Sequence, residues 1–238
     1  MFDFNDRVVV ITGGAGNLGA AVTRAFYQAG ARVAIVDRQR EMAQTIFGDE
    51  IPEGEYCAYV AGNLMDENSV AETVRTIIDK FGRIDILVNI AGGYRAGTPV
   101  HETPLDTWDF MMNLNARTVF LMCRAVIPHM IARQDGRIVN IGARAALKGT
   151  AKSGPYVASK MAVIRLTETM SAELKDQHIN VNCILPGTID TPANRKDMPN
   201  ADFSRWVTPE SMANVILFLA SEWAKDIHGA AIPIYGQG

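Results

Sequence analysis

A phenol at Tyr156 and an ammonium at Lys160, four positions apart, are the first residues of this chain that could do chemistry. On a helix, positions i and i+4 share a face, so both side chains would reach one cleft. A free tyrosine loses its proton near pH 10, and a cation held beside it favours the phenolate and brings that value toward neutrality. The pair therefore reads as a proton-transfer device. Spacing alone fits two solvated helix residues equally well, so the context must come from elsewhere in the chain.

A glycine cluster supplies it. Gly13-Gly14-Ala15-Gly16-Asn17-Leu18-Gly19 follows an apolar run at 7–12 and opens a helical pattern that runs through Ala29 and stops at Gly30. A second run at 32–36 ends in Asp37. Strand, glycine turn, helix, strand and acidic residue is the order that gives Gly14-x-Gly16-x-x-Gly19 its meaning. Small residues let the backbone approach a pyrophosphate, and the helix N-terminus offers free N–H groups. Asp37, 18 positions after Gly19, is placed to accept bonds from adenosine ribose hydroxyls and to repel a 2′-phosphate. NAD(H) is therefore favoured over NADP(H). Arg38 is either a phosphate clamp that opposes this or a solvated residue of the next helix.

The elements that must position these groups alternate along the chain. Further β-branched runs at 56–60, 84–89, 137–141, 179–185 and 230–235 read as strands. Helical patterns lie at 66–81, 104–133 and 156–175, and another opens at Thr208-Pro209-Glu210. Asp66 and Thr208 are the expected N-caps, and Pro128 is expected to bend or restart the long helix. The alternation predicts an α/β fold. It is a doubly wound parallel sheet of about seven strands with helices on both faces, one domain over 1–238, its ligands beyond the C-terminal strand ends.

Bulk properties exclude several classes. A net charge of −3 gives no electrostatic case for nucleic acid or an anionic membrane surface. With 48% hydrophobic residues there is ample material for a large core, and no apolar run is long enough to span a membrane. Cys57, Cys123 and Cys183 lie far apart among apolar neighbours and predict buried free thiols. His101, His129, His178 and His228 are scattered without ligand spacing, so no metal is expected. The start of the chain, Met1-Phe2-Asp3-Phe4, lacks a signal-peptide pattern, which suggests a cytoplasmic protein acting on a small molecule.

Further motifs fall in a fixed order: Thr12 to Gly19, Asn89-Ile90-Ala91-Gly92, Asn115 seven residues after Trp108, Tyr156 with Lys160, and Pro186-Gly187-Thr188-Ile189-Asp190-Thr191. Together they resemble the short-chain dehydrogenase/reductase family over essentially the whole chain. Asn17 stands where the family has a glycine; Asn tolerates left-handed backbone angles, so the turn is expected to survive. Asn63 stands where the family has an Asp that touches adenine. The resemblance implies catalysis by Tyr156, Lys160 and Asn115. It implies cofactor contacts from Gly13, Gly16, Asn17, Leu18, Gly19, Asp37, Arg38, Asn63, Leu64, Asn89, Ala91, Gly92, Ile141, Tyr156, Lys160, Pro186, Gly187, Ile189 and Thr191. Tyr94, Ala143 and Trp206 are the implied substrate contacts, with a lid at about 188–208, and a homo-oligomer is implied as well.

One departure bears on the reaction. The family's catalytic serine lies 13 residues before the tyrosine, and that position is Ala143. Ser153 is nearer in sequence but reads as a loop residue. The run Gly142-Ala143-Arg144-Ala145-Ala146-Leu147, the turn Ala91-Gly92-Gly93-Tyr94 and the lid from Asp190 to Trp206 resemble dihydropteridine reductase, a relative that also lacks the serine. A quinonoid dihydropteridine is an electron-poor ring that needs little carbonyl polarisation. Tyr94 then either stacks on a flat ring or walls the pocket, and Trp206 either closes over the site or packs the lid down. Three readings follow: an NADH-dependent reductase of such a ring, a carbonyl or 3-oxoacyl reductase, and an NAD(H)-binding sensor without catalysis.

Overall fold

The alternation becomes a seven-stranded sheet in the computed structural model, which describes residues 2–237; residues 1 and 238 of the expected 1–238 span lie outside the described residues. The strands are β1 (Val8–Thr12), β2 (Arg32–Asp37), β3 (Cys57–Ala61), β4 (Ile86–Asn89), β5 (Gly136–Ile141), β6 (Ile179–Pro186) and β7 (Ala231–Ile234). All pair in parallel in the order β3-β2-β1-β4-β5-β6-β7. The chain winds outward from β1 to β3, then returns to β4 on the other side. The strand order therefore reverses between β1 and β4, which is where such sheets open a ligand crevice.

The helices are α1 (Asn17–Gln28), α2 (Arg40–Phe47), α3 (Glu67–Phe81), α4 (Leu105–Met111), α5 (Thr118–Arg133), α6 (Gly154–Leu174), α7 (Pro192–Asp197) and α8 (Pro209–Ala220). Every residue of β1 is buried, because successive side chains enter opposite layers. Val9 and Ile11 pack with Val22 and Phe26 of α1 and Met212 and Ile216 of α8. Val8 and Val10 pack with Ile77 of α3, Val126 of α5 and Val163 of α6. At about 25 cal/mol per Å² of apolar area removed from water, these two layers are the main stabilising contribution to the fold.

The expected caps form. Asp66 accepts from the Ser69 N–H at 2.8 Å and Thr208 Oγ1 from the Ser211 N–H at 3.1 Å. Three features differ from the expectation. Pro128 does not restart the helix but lies inside a continuous α5, and a further irregularity, a π-helical turn at Met112–Arg117, joins α4 to α5. α2 is an additional helix whose buried stripe is only Ala43 and Phe47, too narrow for a clear periodic signal. β4 begins at Ile86; just before it Asp85 donates its backbone N–H to Val8 O (3.0 Å) and gives its side chain to an ion-pair network. Cys57, Cys123 and Cys183 are free and buried as expected; burial pushes their thiols up to about 12, 12 and 11.

Candidate active site

The glycine turn is built by the end of β1. Gly13 adopts φ +64° and donates to Val36 O at 2.8 Å, which carries the chain across the tip of β2. A Cβ on Gly19 would overlap the carbonyl oxygen of Gly13, so the helix packs against the turn only because nothing is there. Gly16 is the N-cap of α1 and has no side chain to satisfy the first helical N–H groups, which stay available to an anion. Asn17 is the first residue of α1 with ordinary right-handed geometry. The left-handed tolerance expected of it is not used; Gly13 carries the positive φ.

Asp37 closes the far side of this turn. Its Oδ2 accepts from the Ala15 N–H (3.3 Å) and its Oδ1 from the Arg38 N–H (2.8 Å). Between Asp37 and the end of β4 lies a cleft of about 160 Å³, lined by Gly13, Asp37, Arg38, Asn63, Leu64, Ala91 and Gly92 among the expected residues. Gly62, Met65, Leu114 and Thr118 also line it and were not anticipated; Leu114 and Thr118 lie on the face of the long helix that carries Asn115. Leu18 is buried in the core beneath the turn. The side chain of Asn89 is turned into the interior, donating to Asn140 Oδ1 at 2.8 Å, which leaves only its backbone for the cleft. Thr12, the first residue of the glycine motif, has a structural part that the motif alone does not give: its Oγ1 accepts from the N–H groups of Ile90 (3.0 Å) and Ala91 (3.2 Å), tying the tip of β1 to the loop after β4.

α6 and the π-helical turn bring the remaining groups to the inner end of this cleft. Lys160, 6% exposed, donates to Ile141 O at 2.8 Å. Asn115 is fully buried and holds Gly93 from both sides, accepting from its N–H at 2.9 Å and donating to its carbonyl at 3.1 Å. It also donates to Ser159 Oγ (3.0 Å). A Cβ on Gly92 would stand 2.8 Å from Asn115 Oδ1 and 3.3 Å from Lys160 Nζ. The same glycine thus borders both the cleft and the Asn–Lys cluster.

The proton chemistry departs from expectation. Burial pushes the Tyr156 phenol up to about 12, reinforced by Tyr94, instead of Lys160 drawing it down. Lys160 is itself desolvated, which brings its ammonium down to about 8. Among the described residues no carboxylate pairs with it.

Around this centre, Ala143 follows β5 with extended backbone, is 4% exposed, and spends its carbonyl on the Ala146 N–H (3.0 Å). Ser153 turns its hydroxyl to Ala151 O at 3.5 Å. The Tyr94 ring meets Tyr156 edge-on, with centroids 4.8 Å apart and planes at 82°. At the end of β6, Gly187 donates to Ile234 O (2.9 Å), and a Cβ on it would lie 3.0 Å from Tyr235 O. Thr191 caps α7, and Ile189 pairs with Val207 across the lid base. Within the lid, Arg195 pairs with Asp190 (2.6 and 2.8 Å) and covers the Phe203 ring, and Trp206 packs on Phe203 with centroids 4.8 Å apart. The ring contact of Trp206 is thus inside the lid. No cluster of metal-ligating side chains occurs among the described residues. None of their helices is long and apolar enough to cross a membrane.

Comparison with known proteins agrees with this geometry. The family model described as short chain dehydrogenase matches residues 7–202. The 3-oxoacyl-(acyl-carrier-protein) reductase FabG of Thermotoga maritima is 36% identical over 97% of this chain and 96% of its own length. Among solved structures, levodione reductase superposes with a TM-score of 0.92 at 28% identity, covering 98% of this chain and 97% of that one. NAD+-bound xylitol dehydrogenase gives 0.90 at 28% identity, covering 98% and 99%.

Proposed function

This chain belongs to the short-chain dehydrogenase family and is an NAD(P)-dependent oxidoreductase, and from that premise we propose that it reduces a small activated acceptor with NADH, Tyr156 giving the proton. The carrying observation is Gly92, which lines the cleft beside Asp37 and also abuts Asn115 and Lys160, so that the glycine-turn cleft and the proton machinery share a border. The residues present fit a dinucleotide. Gly13 lines the cleft, Gly19 lets α1 pack onto the glycine turn, Gly16 leaves the first N–H groups of α1 without a side-chain cap for a pyrophosphate, and Asp37 lines the same cleft, where a ribose would lie. Ile189 and Thr191 would hold the nicotinamide end.

When bound, the nicotinamide supplies the hydride. Tyr156, whose proton burial holds up to about 12, is protonated at neutral pH and is placed in the role of proton donor. Lys160 supports the phenolate left behind, and Asn115 fixes the loop that carries Gly92 and Gly93. The carboxylate of Asp37, which accepts from two backbone N–H groups and forms no ion pair among the described residues, supports NADH over NADPH.

For the acceptor, the Ala143 position and the lid sequence favour a dihydropteridine-like conjugated ring. A 3-oxoacyl or other carbonyl substrate is the second reading, favoured by the FabG relative. A homo-oligomer built on α4 and α5 is also proposed, because Leu105, Trp108 and Phe120 leave large apolar side chains exposed there. The test is steady-state NADH oxidation with oxidised dihydropteridine, beside simple ketones and a 3-oxoacyl thioester. Turnover of the pteridine supports the first reading and turnover of the carbonyls alone the second. Tight NADH binding with no turnover would overturn both and leave a sensor.

A further inference from the structure

Carbonyl reduction by hydride normally needs two donors on the acceptor oxygen, one that surrenders its proton and one that only polarises. Position 143 offers a methyl group, and the polar side chains nearest in sequence or space are otherwise engaged. Ser153 is turned to Ala151 O, and Asn115 is committed to Gly93 and Ser159. One hydroxyl beside Tyr156 is not committed in this way. Tyr94 packs its ring edge-on against Tyr156 at 4.8 Å and is 69% exposed, so the ring stands beside the proton donor and remains open to solvent. It follows directly on Gly93, whose N–H and carbonyl are both held by Asn115. The ring is therefore carried by a clamped loop.

We propose that the Tyr94 hydroxyl is the second hydrogen-bond donor to the substrate's acceptor atom, replacing from the β4 loop the hydroxyl that position 143 lacks. Tyr94 also helps to raise the Tyr156 phenol, as such proximity requires. In the reduction, the acceptor carbon takes the hydride and the C=O (or C=N) π bond breaks onto its heteroatom. That atom takes the proton of Tyr156, leaving a phenolate that solvent reprotonates. Tyr94 keeps its proton throughout and stabilises the developing negative charge. The inference rests on Tyr156 being the proton donor.

The experiment compares Tyr94→Phe, Tyr94→Ala, Tyr156→Phe and the double variant Tyr94→Phe/Ala143→Ser, using NADH with a 3-oxoacyl thioester and with oxidised dihydropteridine. NADH affinity, read by fluorescence, verifies the folded cradle in each variant. Tyr94→Phe keeps the ring and is expected to lower kcat on the 3-oxoacyl thioester about 100-fold, the usual effect of removing one such donor, with KM nearly unchanged, and to lower kcat less on the electron-poor dihydropteridine. Restoring a hydroxyl at 143 in the double variant is expected to recover at least tenfold of the loss. If Tyr94→Phe matches the wild type while only Tyr94→Ala is impaired, the ring is a wall and the inference fails. If Tyr156→Phe retains turnover, the reading beneath it fails instead. A wild type that turns over neither probe overturns both.

Discussion

The two ends of the sheet treat buried charge in opposite ways. At the N-terminal strand ends, Asp85 is fully buried and completely answered. It accepts from the Val8 N–H at 2.8 Å and from Arg83 Nε at 2.8 and 2.9 Å, with Arg7 and Arg133 each at 3.6 Å. Arg137 extends the network to Glu222 (3.1 Å) and Asp135 (3.4 Å). At the C-terminal ends, Lys160 is nearly as buried and has only a carbonyl oxygen. Desolvation of an ion costs several kcal/mol unless partners offset it. The lower end offsets it and gains a fixed anchor between strands; the upper end leaves it unbalanced, which is how perturbed proton affinities arise at functional sites. Size misleads here. The larger hollow, about 380 Å³, lies at the lower end among Asp135, Arg137 and Glu222, and the smaller cleft lies at the end with the unbalanced lysine.

Breaking the lower network should show the largest effect on stability. Asp85→Asn leaves three arginines facing a neutral group and is expected to cost roughly 3 kcal/mol, since removing one partner of a buried pair leaves the others uncompensated. The loss is read as a lowered denaturation midpoint, with turnover per folded molecule unchanged. Unaltered stability would mean that the arginines reach water freely and that the contrast between the ends is false.

Removing the upper charge should act in the opposite direction. Lys160→Met is expected to abolish turnover yet stabilise the fold at pH 7 by on the order of 2 kcal/mol. The sign follows from a cationic group whose folded value, about 8, lies below its ordinary 10.5. Below pH 8 the ammonium is charged in both states and its burial penalty is complete. Between pH 8 and 10.5 the unfolded chain binds more protons, so wild-type stability rises with pH and the advantage of the variant fades. Denaturation at pH 7, 9 and 11 checks this; a destabilised variant at pH 7 would show that the Ile141 hydrogen bond outweighs desolvation.

The smallest effect sharpens the comparison. Asp37→Ala removes an upper charge that is exposed enough to cost little, so stability should hold within about 0.5 kcal/mol. The ratio of kcat/KM for NADH over NADPH is expected to fall about tenfold, equivalent to about 1.4 kcal/mol. An unchanged ratio would remove Asp37 from cofactor choice.

What could be read from the sequence was local. β-branched runs marked the strands, Gly13 to Gly19 the turn, and Asp66 and Thr208 the caps, because each is decided by neighbours a few residues away. Asn115, Tyr156 and Lys160 were identified from motif and resemblance, and the structure brings Asn115 and Lys160 to one glycine. Other features depend on contacts across the fold. The depressed Lys160 arises because α6 buries it against β5, and Tyr94 meets Tyr156 only once β4 and α6 are side by side. The Asp85 network joins residues from the first strand to Glu222, and no spacing along the chain reports it. Pro128 does not restart the helix, which continues through it, and the π-helical turn has no compositional mark.

That turn has a consequence for how the chain can change. A π-helical turn holds one residue more than an α-helical path, and each residue of an α-helix advances the side-chain direction by about 100°. Deleting any single residue within Met112–Arg117 would heal the hydrogen-bond ladder and favour a smoother helix. It would also rotate everything on one side of the repair out of phase with the other. Met111 and Asn115 would no longer face inward together with Thr118 and Met122, all of which are buried now. The irregularity therefore works as a clutch between two helical segments, and a lineage that lost it by one codon would gain a better helix and lose the residue that clamps Gly93.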